Sequence, residues 1–208
     1  VTIRFIDLGT GCGVVGLAYL LLKRNICQGF GMDCNPELIA AAQNNTAKLG
    51  FSDRFALHTG ELADTRFLEN LRMEASPVQL VMANPPWRLV GSGRLPATEA
   101  RRKALFGDKG TFPLFASAAS SLLEEDGRFA CIISPDRLQD MLAALDGAGL
   151  TPYLLQYIHK QKTSPATFVL IEARKGAHAK PSVAEPIALY GPERFFTLES
   201  LAFCPFLR

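Results

Sequence analysis

Hydrophobic residues along this chain arrive in two rhythms. Short runs of β-forming residues alternate with longer stretches in which apolar positions recur at helical spacing. The pattern predicts strands at 3–8, 28–33, 55–59, 79–83 and 128–134. Between them it predicts helices at 14–24, from Pro36 to a stop at Gly50, and at 64–71, 111–125 and 135–147. Pro36 suits a first helical position, where its missing N–H costs nothing. Two more β-rich runs, 152–159 and 167–174, follow with no helix between them. Strand–helix alternation implies a parallel sheet covered on both faces, and the last two runs should close it as an antiparallel hairpin. Residues 84–110 read as a long polar loop, which in a compact domain is usually functional. The Pro/Ala/Lys-rich stretch 176–186 reads as a surface excursion, and the aromatics of 189–207 as a tail docking back on the core. The expected unit is thus one domain, 1–208.

Composition changes this picture little. The chain has 208 residues, 48% hydrophobic and 20% charged, proportions that suit one domain with a substantial core. No apolar run approaches the ~20 residues needed to span a bilayer. The longest, VVGLAYLLL at 14–22, reads as a buried helix, so no membrane partner is expected. No signal peptide is visible. The five cysteines (Cys12, Cys27, Cys34, Cys131 and Cys204) are odd in number and contain no CxxC pair. They read as reduced thiols of a cytoplasmic protein rather than a disulfide or zinc framework. His58, His159 and His178 lack metal-ligand spacing, so no metal is expected. Strand character begins already at Ile3, and the expectation is that a lead segment precedes Val1. A monomer is the expected state.

Chemistry enters with DLGTGCGVVGL, residues 7–17, at the junction of the first strand and first helix. Gly9, Gly11 and Gly13 let the backbone turn tightly and approach a ligand, while the helix N-terminus offers unpaired N–H groups. Asp33 ends the second strand, where a carboxylate can accept from ribose hydroxyls. Together they describe an adenosine-cofactor site at the carboxyl ends of strands one and two of a Rossmann-like, doubly wound sheet. GCGVVG also fits the dinucleotide pattern GxGxxG, so a nicotinamide oxidoreductase stays open at this point.

The fourth strand runs into Asn-Pro-Pro-Trp. In a doubly wound sheet this strand neighbours the first across the topological switch point, so Asn84 should face the cofactor crevice. Pro85 and Pro86 disfavour helical geometry before them and remove two N–H groups, leaving a stiff extended corner. The Asn84 side-chain oxygen and a nearby backbone carbonyl then form a pair of acceptors for one NH₂ group. Such a pair suits methyl transfer to a planar nitrogen, whose lone pair is delocalised. Accepting from its hydrogens favours the developing positive charge and draws the nitrogen toward tetrahedral geometry. Trp87, the single tryptophan, could stack on a flat acceptor, worth roughly 1–3 kcal/mol for a nucleobase.

DLGTGCG, MDCNPELIAAAQNN and NPPW, in this order, resemble the class I S-adenosylmethionine-dependent methyltransferases of the Asn-Pro-Pro-aromatic group. NPPWRLVGSGRLPATEARRKALF, FVLIEARKG and the terminal ERFFTLESLAFCPFL are similar to segments of bacterial tRNA(Val) adenine-N6 methyltransferases. The resemblance implies the seven-stranded, mostly parallel class I methyltransferase sheet, with S-adenosyl-L-methionine as cofactor and S-adenosyl-L-homocysteine as product. It also implies an RNA substrate, with tRNA foremost. Carried over by position, it implies that Asp7, Gly9, Gly11 and Gly13 surround the methionine moiety and that Asp33 takes the ribose hydroxyls. Glu61 of GEL would accept from the adenine amino group, where the family more often has Asp. Asn84, beside the cofactor, would hold the target base together with Pro85 and Trp87; relatives more often have Tyr or Phe in place of Trp87.

Around this motif lie Arg88, Arg94, Arg101, Arg102, Lys103 and Lys109, against only Glu99 and Asp108. That local excess can steer phosphates although the net charge is only +2. Arg88, Arg101 and Arg102 are the candidate substrate contacts. The leading expectation is an N-methyltransferase acting on adenine N6 in tRNA, with the base splayed from its stack. A glutamine N5-methyltransferase acting on a protein such as a release factor keeps the same chemistry. A non-catalytic RNA-binding relative is the alternative from another class.

Overall fold

The first and fourth strands carry apolar residues without alternation because both of their faces are covered. In the computed structural model, which describes residues 2–23, 27–86, 88–89, 106–176, 181–193 and 195–203, β1 (Ile3–Leu8) and β4 (Leu80–Ala83) lie side by side at the middle of a sheet. Ile6, Leu8, Val81 and Ala83 point to one face and join the larger core. Phe5, Leu80 and Met82 point to the other and join a smaller one. Period-two alternation therefore persists, with both halves apolar in β4 and largely apolar in β1, where Arg4 and Asp7 are the polar members.

The other members are β2 (Cys27–Asp33), β3 (Phe55–Thr59), β7 (Arg128–Ile133), β8 (Leu150–Gln161) and β9 (Ala166–Lys175), in the order β3-β2-β1-β4-β7-β9-β8. All pairs among them are parallel except those of β9, which runs antiparallel to both β7 and β8. The chain moves outward from β1 through β2 to β3, then returns to the far side of β1 to form β4. That reversal opens the crevice in which open α/β sheets bind ligands.

Helix α1 (Val14–Leu22) packs Leu17 and Leu20 into the smaller core. α2 (Pro36–Lys48) starts at Asn35, whose side chain accepts from the Glu37 N–H at 2.9 Å, and ends before Gly50 at φ +72°. α3 (Thr65–Ala75), α4 (Thr111–Leu122) and α5 (Leu138–Gly147) cover the other face and contribute Leu68, Leu71, Phe115, Leu122, Met141 and Leu145 to the larger core.

Among the described residues the sheet has nine strands rather than the expected seven. β10 (Ser182–Val183) and β11 (Ile187–Tyr190) both add to β8 in parallel. Both are short, and Pro186 lies between them, so no periodicity betrays them in the sequence. β11 nevertheless buries Ile187 and Ala188 on the body, and α6 (Leu198–Phe203) follows it with Ser200 buried. Nor is 84–110 wholly loop: β5 (Arg88–Leu89) pairs in parallel with β6 (Phe106–Gly107) at its root. The stretch 111–125 ends its helix at Leu122, because Leu123 turns to extended geometry ahead of Asp126 at φ +61°. Pro135–Arg137 form one 3₁₀ turn before α5.

Candidate active site

The glycine loop is shaped by what lies beneath it. Gly9, Gly11 and Gly13 all have positive φ (+67°, +56° and +87°), a conformation L side chains rarely adopt. Asp7 is 1% exposed, and a single carboxylate oxygen accepts from the Thr10 hydroxyl at 2.7 Å and from the Gly16 N–H at 3.0 Å. The Thr10 N–H donates to the Met32 carbonyl at 2.9 Å, tying the loop to the end of β2. Asp7 is thus turned under the loop and holds the first turn of α1. Burial pushes its carboxyl up from 3.8 to about 6, opposed by the hydrogen bonds from Thr10 and Gly16 and assisted by the Asp33 charge. The third glycine of GCGVVG serves packing: a Cβ at Gly16 would collide with the Phe55 ring of β3.

Asp33 is the hinge between loop and sheet. One of its oxygens accepts from the Gly11 N–H at 2.9 Å and the other from the Asn35 N–H at 2.9 Å. A carboxylate has about four acceptor sites, so each oxygen retains capacity for a ligand hydroxyl. The Gly60 N–H donates to the Asp33 carbonyl at 3.1 Å, which brings the GEL turn to the same rim with Glu61 exposed on it. At Gly11 nothing lies within 4 Å of where a Cβ would stand. This is the open floor of a cradle, bordered by the glycine turn and a carboxylate with spare lone pairs. The residues present therefore fit an adenosyl group.

Register decides where the second motif falls. Leu8 pairs with both Met32 and Ala83, so Gly9, Asp33 and Asn84, each the next residue of its chain, meet at the carboxyl rim of three adjacent strands. Asn84 is exposed there, Pro85 is buried and Pro86 is half-buried. The glycine loop and the Asn-Pro-Pro corner thus leave their strands at the same rim. Trp87, Arg94, Arg101, Arg102 and Lys103 lie outside the described residues, as does the side chain of Arg88, whose backbone is in β5. Among the described residues no group of three or more His, Cys, Asp or Glu is placed to hold a metal ion. No helix among them is long and apolar enough to cross a membrane.

Three supports escaped the sequence reading. Asn45 of α2 donates from its side chain to the Cys12 carbonyl at 3.0 Å, bracing the loop from the side. Asparagine is unfavourable inside a helix, and NN at 44–45 was the available signal. Phe115 of α4 packs 3.4 Å from the Cβ position of Gly9. Finally, Gly107 of β6 sits so near the Pro86 carbonyl that any Cβ there would collide with it. Asp108 accepts from the Gly110 N–H at 2.9 Å and the Thr111 hydroxyl at 3.0 Å, and so anchors this root to the start of α4.

Comparison with solved structures matches this arrangement over 99% of the chain to a protein from Agrobacterium tumefaciens described as a predicted O-methyltransferase, with a TM-score of 0.73, 21% identity and 88% of that chain covered. The fold is that of the class I methyltransferases. TrmN from Thermus thermophilus also matches, at a TM-score of 0.53 and 16% identity over 83% of this chain and 44% of its own. No family model matches the sequence. Among curated proteins, the tRNA1(Val) (adenine(37)-N6)-methyltransferase of Porphyromonas gingivalis is 31% identical over 140 residues, 65% of this chain and 51% of its own length. The release factor glutamine methyltransferase of Caulobacter vibrioides is 29% identical over 153 residues, covering 70% and 50%. The chain thus spans about half the length of the curated relatives it matches.

Proposed function

We propose that this chain is an S-adenosyl-L-methionine-dependent N-methyltransferase whose acceptor is a flat exocyclic nitrogen, adenine N6 of an RNA such as tRNA, acting in the cytoplasm. One observation carries the reading: the β1–β4 register sets the Asn84 corner beside the glycine loop and Asp33. When bound, the cofactor supplies an electrophilic methyl group on a sulfonium. Asp33 would accept from the ribose hydroxyls, Glu61 from the adenine amino group, and the backbone at Gly9, Gly11 and Gly13 would close around the methionine part. Asn84 would accept from the acceptor NH₂ and draw its lone pair out of conjugation, so positioning and hydrogen bonding do most of the work. Trp87 would stack on the base, with Arg88, Arg101 and Arg102 on flanking phosphates.

The release-factor relative favours one second reading, transfer to a glutamine amide of a protein. A planar amide asks the same of Asn84. Labelled methyl transfer to total RNA and to total protein separates the two. RNA label that ribonuclease removes supports the first reading. Label only in protein overturns it in favour of the second, and label in neither overturns the enzyme.

A further inference from the structure

A cavity of about 970 Å³ lies at the carboxyl end of β8, between the β8–β9 turn, β11 and the start of α6. Because β8 and β11 run parallel to each other and to β7, this cavity opens on the same rim of the sheet as Asn84. Counting β7, β9, β8 and β11 outward from β4 at ~4.8 Å a strand moves it about 15–20 Å sideways. The register levels Ala83 with Leu155, so the cavity, which begins at His159, also lies about 13 Å further along β8, ~20–25 Å from the Asn-Pro-Pro corner in all. Its apolar lining is Ile187, Tyr190 and Leu198, and Leu198 is 84% exposed. The Tyr190 ring is held by Phe196 at a centroid distance of 5.0 Å. Gln161 donates to the Gly191 carbonyl at 3.2 Å, leaving its amide oxygen as an acceptor. Glu185 and Glu199 also border the cavity, and Lys162 lines it from the turn.

We infer that this cavity receives an unpaired base of the same RNA, a few nucleotides from the methylated adenine. The inference rests on the RNA reading of the active site. An apolar floor with an aromatic ring suits the face of a base, whatever its identity. Two carboxylates and an amide oxygen are acceptors that suit exocyclic amino groups, and they repel a phosphate from the interior. Lys162 stands at the mouth, where a phosphate next to that base would pass. The cavity thus asks for a flat, neutral, NH-bearing body carried on an anionic chain.

Lys162→Glu and Leu198→Glu test this, because both side chains are exposed and neither change threatens the fold. Each should raise KM for a long RNA substrate about tenfold, with S-adenosylhomocysteine affinity retained. With an RNA trimmed to the target adenine and its immediate neighbours, the same variants should match the wild type. RNA carrying 5-iodouracil near the target should cross-link to the 187–199 peptide. Wild-type KM on the long RNA, or an equal penalty on the trimmed one, overturns the inference and leaves the active-site proposal standing. If the wild type labels protein and not RNA, the RNA reading fails first and this inference with it; a raised KM for that protein would assign the cavity to a polypeptide.

Discussion

Replacing Asp7 with asparagine should change how stability depends on pH. The carboxyl of Asp7 titrates near 6 in the folded chain against 3.8 ordinarily, chiefly because it is buried. At about 1.36 kcal/mol for each pH unit, its ionised form costs the folded state about 3 kcal/mol. The sign follows from the raised value. Below 3.8 the group is protonated in both states and contributes nothing. As pH rises toward 6 the unfolded chain releases its proton first, so stability is withdrawn, and above about 6 the full penalty is present. The Asp7→Asn variant carries no such charge, and its amide oxygen can still accept from Thr10 and Gly16. Urea denaturation of both proteins between about pH 4.5 and 8 should therefore show the variant gaining on the wild type by about 2 kcal/mol as pH increases. Curves that stay parallel across that range would refute the buried, ionisable state assigned to Asp7.

Asn84→Ala should abolish methyl transfer while S-adenosylhomocysteine affinity, measured by calorimetry, stays within a few-fold; full activity would defeat the mechanism. Gly11→Ala should cost only about 1–2 kcal/mol in thermal stability for its positive φ. Its methyl group enters the open cradle, however, so cofactor affinity should fall by far more than that loss implies. Gly107→Ala forces a collision with the Pro86 carbonyl and should lower kcat with cofactor affinity retained; unchanged kcat would show the root of the loop does not steer the corner. Asp33→Asn sets an amide N–H against the N–H of either Gly11 or Asn35, and both cofactor affinity and loop stability should drop, by roughly 1.5–3 kcal/mol for the latter.

Most of the sheet was legible because its strands are buried and its connections are helical, so the change from one hydrophobic period to the other marks each boundary. β3 matched its expected limits, and β1 did too, since a glycine follows each run directly and marks its end. β10 and β11 were not legible, because four residues or fewer carry no period and their pairing is decided by β8, distant in sequence. In the site, Gly11 and Asp33 could be read because their roles need particular backbone freedom and charge at strand ends. The resemblance alone implied a place for Asp7 beside the methionine moiety. Its orientation depends on strand alternation and on the hydroxyl of Thr10, which no motif spacing encodes. The support from Gly107 to Pro86 joins residues far apart in the chain and could be found only in three dimensions.

The tail has a consequence for solubility. β8 is twelve residues long, and without a neighbour its outer side would present a row of bare amides and carbonyls. β10 covers Leu154 and Leu155, β11 covers Ile158, His159 and Gln161, and the side chains of Ser182 and Gln156 fill the interval by bonding to Tyr153 and Glu185 carbonyls. This C-terminal stretch works as a selvedge: it finishes the border of the sheet so that another copy cannot be stitched on. Cutting the chain before Ser182 would leave a sticky β-strand, and self-association rather than simple loss of activity is the first defect such a truncation should show.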